Sequence, residues 1–97
     1  MLTLEGLLDR EMAALLVEQL SELGPEDRPV TLDLTLVDLE DAAVTAILVD
    51  ALRQTARRVG ELKLLRPPQV LAHSLYRVGA LGKSTLQLVE PRQELGI

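Results

Sequence analysis

Chemistry-bearing side chains are sparse in this chain, and the most suggestive group is Gly79-Ala80-Leu81-Gly82-Lys83-Ser84-Thr85. A phosphate-binding loop ends in Gly-Lys-Ser/Thr because its backbone amides cradle the phosphate and its lysine reaches the same group. Two features count against that use here. The spacing asks for glycine where Arg77 stands, and the segment leads from a helical pattern into a strand pattern, the reverse of what such a loop needs. His73 is the only histidine and sits between Ala72 and Ser74; with no second imidazole and no thiolate to complete a metal site, it reads as an ordinary helix residue. Ser74 and Thr85 have no base near them in a nucleophile arrangement such as Gly-x-Ser-x-Gly. Asp38, Glu40 and Asp41 are close enough to share a metal or a proton, but acids ahead of a helix are usually solvated and favoured by the helix dipole. No catalytic residue, cofactor or metal is expected, which leaves binding.

The elements that would position these residues follow from periodicity. Leu2-Thr3-Leu4-Glu5 alternates apolar and polar before Gly6, which predicts a first strand with one buried face. Asp9 is a fitting N-cap for a helix whose stripe is Met12, Leu16, Leu20 and Leu23, stopped by Gly24-Pro25. A second strand follows over Pro29 to Leu36, then a loop over Val37 to Asp41. From Ala43 to Val59 the apolar residues repeat at three- and four-residue spacing, and Gly60 stands where a left-handed terminator belongs. Glu61 to Leu65 predicts a third strand. Pro68 fits the first position of a helix carrying Val70, Leu71, Leu75 and Val78, ended by Gly79, and Ser84 to Val89 predicts a fourth strand before a polar tail from about residue 91. The expected fold is α/β: a small, mostly parallel or mixed four-stranded sheet with alternating helices, in one domain over residues 1–97. In such sheets loops converge where strands end and helices begin, here at Gly6 to Asp9, Leu36 to Ala42 and Arg66 to Pro68.

Composition narrows the partner. With 97 residues there is room for one core, and with no Trp, no Phe and one Tyr that core is built of Leu, Val, Ile and Ala. The absence of cysteine points to a cytoplasmic setting. The N-terminal MLTLEGLLDREM resembles neither a signal peptide nor a membrane span. A net charge of −5 argues against nucleic acid, although five arginines fall between Arg53 and Arg77. On the second helix the core stripe is expected to centre on Val44, Ile47, Ala51 and Thr55. That leaves Ala42, Ala46 and Val49 on nearly the opposite side. This second stripe is either simple helix-forming alanine with Val49 covered by a neighbouring helix, or a shallow docking face rimmed by Asp50 and Arg53.

The segment from Val30 to Leu81 resembles the STAS domain, the fold shared by bacterial anti-sigma factor antagonists and the cytoplasmic tails of sulfate transporters. Leu32-Asp33-Leu34-Thr35 resembles the family's Leu-Asp-Leu-Ser strand, and Asp41-Ala42-Ala43-Val44 stands where it carries Asp-Ser-Ser-Gly. Gly6-Leu7-Leu8-Asp9, Gly60-Glu61-Leu62-Lys63-Leu64 and Val78-Gly79-Ala80-Leu81 resemble further landmarks in order. The resemblance implies a non-catalytic module that binds a protein through the loop and helix start around Asp41. It implies a partner-binding set of Asp9, Asp38, Asp41, Ala42, Ala43, Thr45, Ala46 and Val49. The family's phosphorylated hydroxyl follows the Asp, and Ala42 has none, so phospho-switching is not expected there. The family's opening strand has no counterpart ahead of Leu2, and the expected sheet has an exposed edge that a partner or a second copy could close. The implied partner is an anti-sigma factor of the serine kinase type; the alternative is a role as accessory subunit of a lipid ABC transporter, docked on its ATPase.

Overall fold

The computed structural model describes residues 1–81 and 85–90. Four strands, β1 (Leu2–Leu8), β2 (Val30–Leu39), β3 (Leu62–Leu65) and β4 (Leu86–Val89), alternate with α1 (Arg10–Leu20), α2 (Ala42–Val59) and α3 (Gln69–Arg77). The sheet order is β1-β2-β3-β4 and every pairing is parallel. Strands that follow chain order in a parallel sheet send each crossover the same way, so helices of one hand share one face. Accordingly α1 packs on α2 and α2 on α3. Val30, Leu32 and Leu34, Leu62 and Leu64, and Leu86 are buried beneath the helices. The other sheet face carries Thr31, Asp33, Lys63 and Gln87, with Leu7 and Leu36 exposed among them toward the β1 edge, and no helix covers it among the described residues.

The α/β class and the four-stranded parallel sheet agree with the sequence expectation, and four local expectations are corrected. First, the segment expected as a loop from Val37 is mostly strand, since β2 runs to Leu39 and pairs Leu7 with Asp38 and Leu8 with Leu39. The register slips where Thr3 faces Asp33 and Glu5 faces Leu36, and this extra β2 residue breaks the alternation that sequence reading relies on. Gly6, just beyond the slip, takes φ 98, a conformation that favours glycine. Second, α1 buries Ala13, Leu16 and Leu20, while Met12 is exposed and Leu23 packs at the margin.

Third, α2 is rotated from the expected stripe. Its buried residues are Val44, Thr45, Leu48, Val49, Ala51, Leu52, Thr55, Ala56 and Val59, whereas Ile47 is 38% exposed. At 100° per residue these nine occupy an arc of about 160° centred near Leu52 and Val59. Such breadth reflects three neighbours, the sheet below and a helix on either side. Fourth, Val70 of α3 and its C-cap Val78 are exposed, and only Leu71 and Leu75 of that helix are buried. Helix ends were more legible. Asp9 accepts from the Met12 amide at 2.8 Å and Asp41 from the Val44 amide at 2.9 Å, the N-cap bonds that satisfy otherwise orphaned donors. Gly60 closes α2 at φ 94. Pro68 precedes α3 as its N-cap, one position earlier than expected. Gly82, Lys83 and Ser84 of the phosphate-loop-like motif, the expected start of the fourth strand at Ser84 and the tail from residue 91 lie outside the described residues.

Candidate functional site

The C-terminal ends of β1 and β2 place the two capping aspartates side by side. Leu8 pairs with Leu39, and the Glu40 amide donates to the Leu8 carbonyl at 3.0 Å, so Asp9 and Asp41 begin neighbouring helices from neighbouring strands. From Asp41 the chain turns into α2 with Ala42 and Ala43 exposed. Ala46 is exposed one turn on. Thr45 is 5% exposed, and its hydroxyl donates to the Asp41 carbonyl at 3.2 Å. Val49 is 8% exposed, covered from the α3 side. Val49 is thus packed by a neighbouring helix, as the first reading of the second stripe has it, while Ala42 and Ala46 are exposed.

What they open into is a groove of about 610 Å³ between α2 and α3. Ala42, Thr45, Ala46 and Val49 line its α2 wall; Val70, Ser74 and Val78 line its α3 wall; Asp50, Arg53 and Arg77 stand at its rim. The α2 wall and the rim residues Asp50 and Arg53 were legible from helical periodicity. The α3 wall was not. Val70 and Val78 flank Leu71 and Leu75 at spacings that suit a core stripe, and only the fold shows that they turn toward the groove.

Of the expected binding residues, Asp41, Ala42, Thr45, Ala46 and Val49 share this region, with Ala43 exposed on the same first turn. Asp9 is near through the strand pairing. Asp38 is not brought there. It neighbours buried Val37 along the strand and is itself exposed, so it points from the sheet face opposite the helices.

A second polar cluster was missed by sequence reading. On the open face Asp33 accepts from the Thr35 hydroxyl and from its amide at 3.0 Å, bridging the residues at the register slip. Arg66 Nε donates to the Thr35 hydroxyl oxygen at 3.1 Å, and its guanidinium meets the Glu90 carboxylate at 2.8 Å. Arg66 and Glu90 both hold positive φ. The hydroxyl and amide of Thr35, with a further contribution from Arg66, hold the Asp33 carboxyl below its ordinary range. This network ties β2, β3 and the residue after β4 together. Among the described residues no group of His, Asp and Glu is arranged to hold a metal ion, and no helix is long and apolar enough to cross a membrane.

The sequence model of the family described as "Mlab, STAS domain" matches residues 1–90. The chain belongs to the STAS domain family. No curated protein matches it closely enough to count as a relative. STAS domains are generally non-catalytic and typically mediate protein–protein interaction.

Proposed function

We propose that this chain is a protein-docking module, like an anti-sigma factor antagonist in kind, that binds a regulatory partner through the Asp41 loop and the first turns of α2 without phosphorylation there. The observation that carries this reading is the exposed Asp41-Ala42-Ala43-Ala46 surface at a helix start opening onto the α2–α3 groove. Small residues let a partner's backbone approach closely, and an apolar floor gives it surface to bury. Phosphorylation finds no hydroxyl at 42 or 43, and the one at 45 is buried and bonded back to Asp41.

The same observation favours a second reading. A contact that cannot be switched by phosphate suits a standing subunit, such as an accessory protein on the ATPase of a lipid ABC transporter. Asp9, Asp38 and the sheet edge are secondary in both readings. In both readings the partner is met in the cytoplasm, by the STAS domain matched over residues 1–90.

The test is binding of Ala46→Arg to the partner captured from the native host by the wild-type chain, measured by titration calorimetry, with Glu18→Arg on α1 as control. The exposed site tolerates the change within about 0.5 kcal/mol of stability. At an interface centre the same change costs about 2 kcal/mol or more, roughly thirtyfold in affinity. Wild-type binding by a folded Ala46→Arg protein would move the docking site elsewhere.

A further inference from the structure

The rim of the groove carries an electrostatic bias opposite to that of the chain. Net charge is −5, yet the end of the groove away from Ala42 is bordered by Arg53 and Arg77, and a neighbouring depression adds Arg57. None of these three guanidiniums has a hydrogen bond or ion pair among the described residues. The nearest rim acid, Asp50, accepts from Gln54 at 3.0 Å, one turn along its own helix. The groove also has a length and a texture. Ala42 to Arg53 spans about 16 Å at 1.5 Å per residue, three turns of helix. Ala42 and Ala46, one turn apart, leave a notch in the α2 ridge beside Val49, of the kind that accepts the side-chain ridge of another helix. An extended peptide would find little to hold, since the walls are helices whose backbone groups are already used within them, and strand addition needs a sheet edge.

We infer that the occupant of this groove is an amphipathic helix of a partner protein, about three turns long, whose apolar stripe lies over Ala42, Ala46, Val49, Val70 and Val78 and whose carboxylates at one end meet Arg53 and Arg77. This rests on the docking reading above and adds the chemistry of what docks. The arginines supply orientation: a helix laid the other way would put its acids beside Asp41 and leave the guanidiniums unpaired.

The probe is a peptide selected from a displayed library of helix-forming sequences of about four turns, panned against the intact wild-type chain. The most enriched peptide is then titrated against wild type, Ala46→Trp, Arg53→Glu/Arg77→Glu and Arg53→Gln/Arg77→Gln, each checked for wild-type thermal unfolding. The expected winners carry an apolar i, i+3, i+4 stripe with clustered Asp or Glu at one end. Their affinity falls tenfold or more in Ala46→Trp and in the charge reversal, by less in the Gln pair, and it weakens at about 0.5 M salt. If Ala46→Trp abolishes binding while charge reversal leaves it unchanged, the acidic helix is wrong and the docking face survives. If no groove substitution changes binding, the docking face itself is wrong. Winners without acids, or rich in lysine, overturn the inference directly.

Discussion

Five arginines fall within one stretch of the chain, and the fold divides them into two kinds. Arg58, on α2, donates to the Leu23 carbonyl at 2.7 Å and to that of Leu20, which also accepts from the Leu23 amide at 3.1 Å, so it grips the end of α1 and the turn that follows. Arg66 joins Thr35 to Glu90 across the open sheet face. Arg53, Arg57 and Arg77 make no such bonds among the described residues; Arg53 and Arg77 border the groove and Arg57 a depression beside it. The same side chain serves as an internal tie where it meets fixed acceptors, and as available charge where the neighbouring surface is apolar and small. Within one domain, what a guanidinium does is decided by which acceptors the fold puts within reach of it.

The largest break expected from this comparison is Arg58→Ala. Two charge-assisted bonds to part-buried carbonyls are lost, and a stability decrease of about 2–3 kcal/mol follows, a fall in melting temperature on the order of 10 °C. Denaturant melts check it. Arg53→Glu/Arg77→Glu, by contrast, stays within about 0.5 kcal/mol of wild type. Equal losses in both variants would erase the distinction between tie and rim.

A smaller effect separates the open-face network from the groove by pH. The Asp33 carboxyl is held below its ordinary range in the folded chain. The unfolded state therefore binds the proton more readily, so this contribution is full above the ordinary aspartate value of about 3.9 and is lost as pH falls through the lower folded value. Asp33→Asn should flatten stability against pH below about 4 and leave it unchanged in slope near neutrality. Denaturant melts across that range would show it, and an unaltered acid slope would remove Asp33 from the account.

The smallest expected effect is an absence. Incubation with an anti-sigma-type kinase and ATP should leave no phosphate on residues 41 to 45 beyond a trace at Thr45, because its hydroxyl is buried and already bonded. Stoichiometric phosphate at Thr45 by mass spectrometry would restore the switch.

Much of this was legible in the sequence where local chemistry decides. The Asp9 cap, the left-handed Gly60 and the alternation of strand and helix need only nearby residues, and the STAS landmarks stand in order; Asp41, read as a loop acid ahead of the helix, proves to be its N-cap. The errors lie where distant packing decides. Ile47 looked like core because it keeps the spacing of Val44 and Ala51, but α3 draws the buried arc toward Val49. Asp38 looked like a loop residue because nothing local announces that β1 extends to pair with it. The Asp33, Thr35, Arg66 and Glu90 network joins residues far apart in sequence across three strands, and no periodicity could assemble it.

The central claim is that partners dock on the start of α2 and the groove beside it. The most direct measurement is backbone amide chemical-shift mapping of the chain as the partner is titrated in. The account predicts that the largest shifts fall on residues 41–50 and 70–78, with Thr31, Lys63 and Gln87 on the open sheet face unmoved. Shifts confined to that open face, with Ala42 and Ala46 silent, would contradict it.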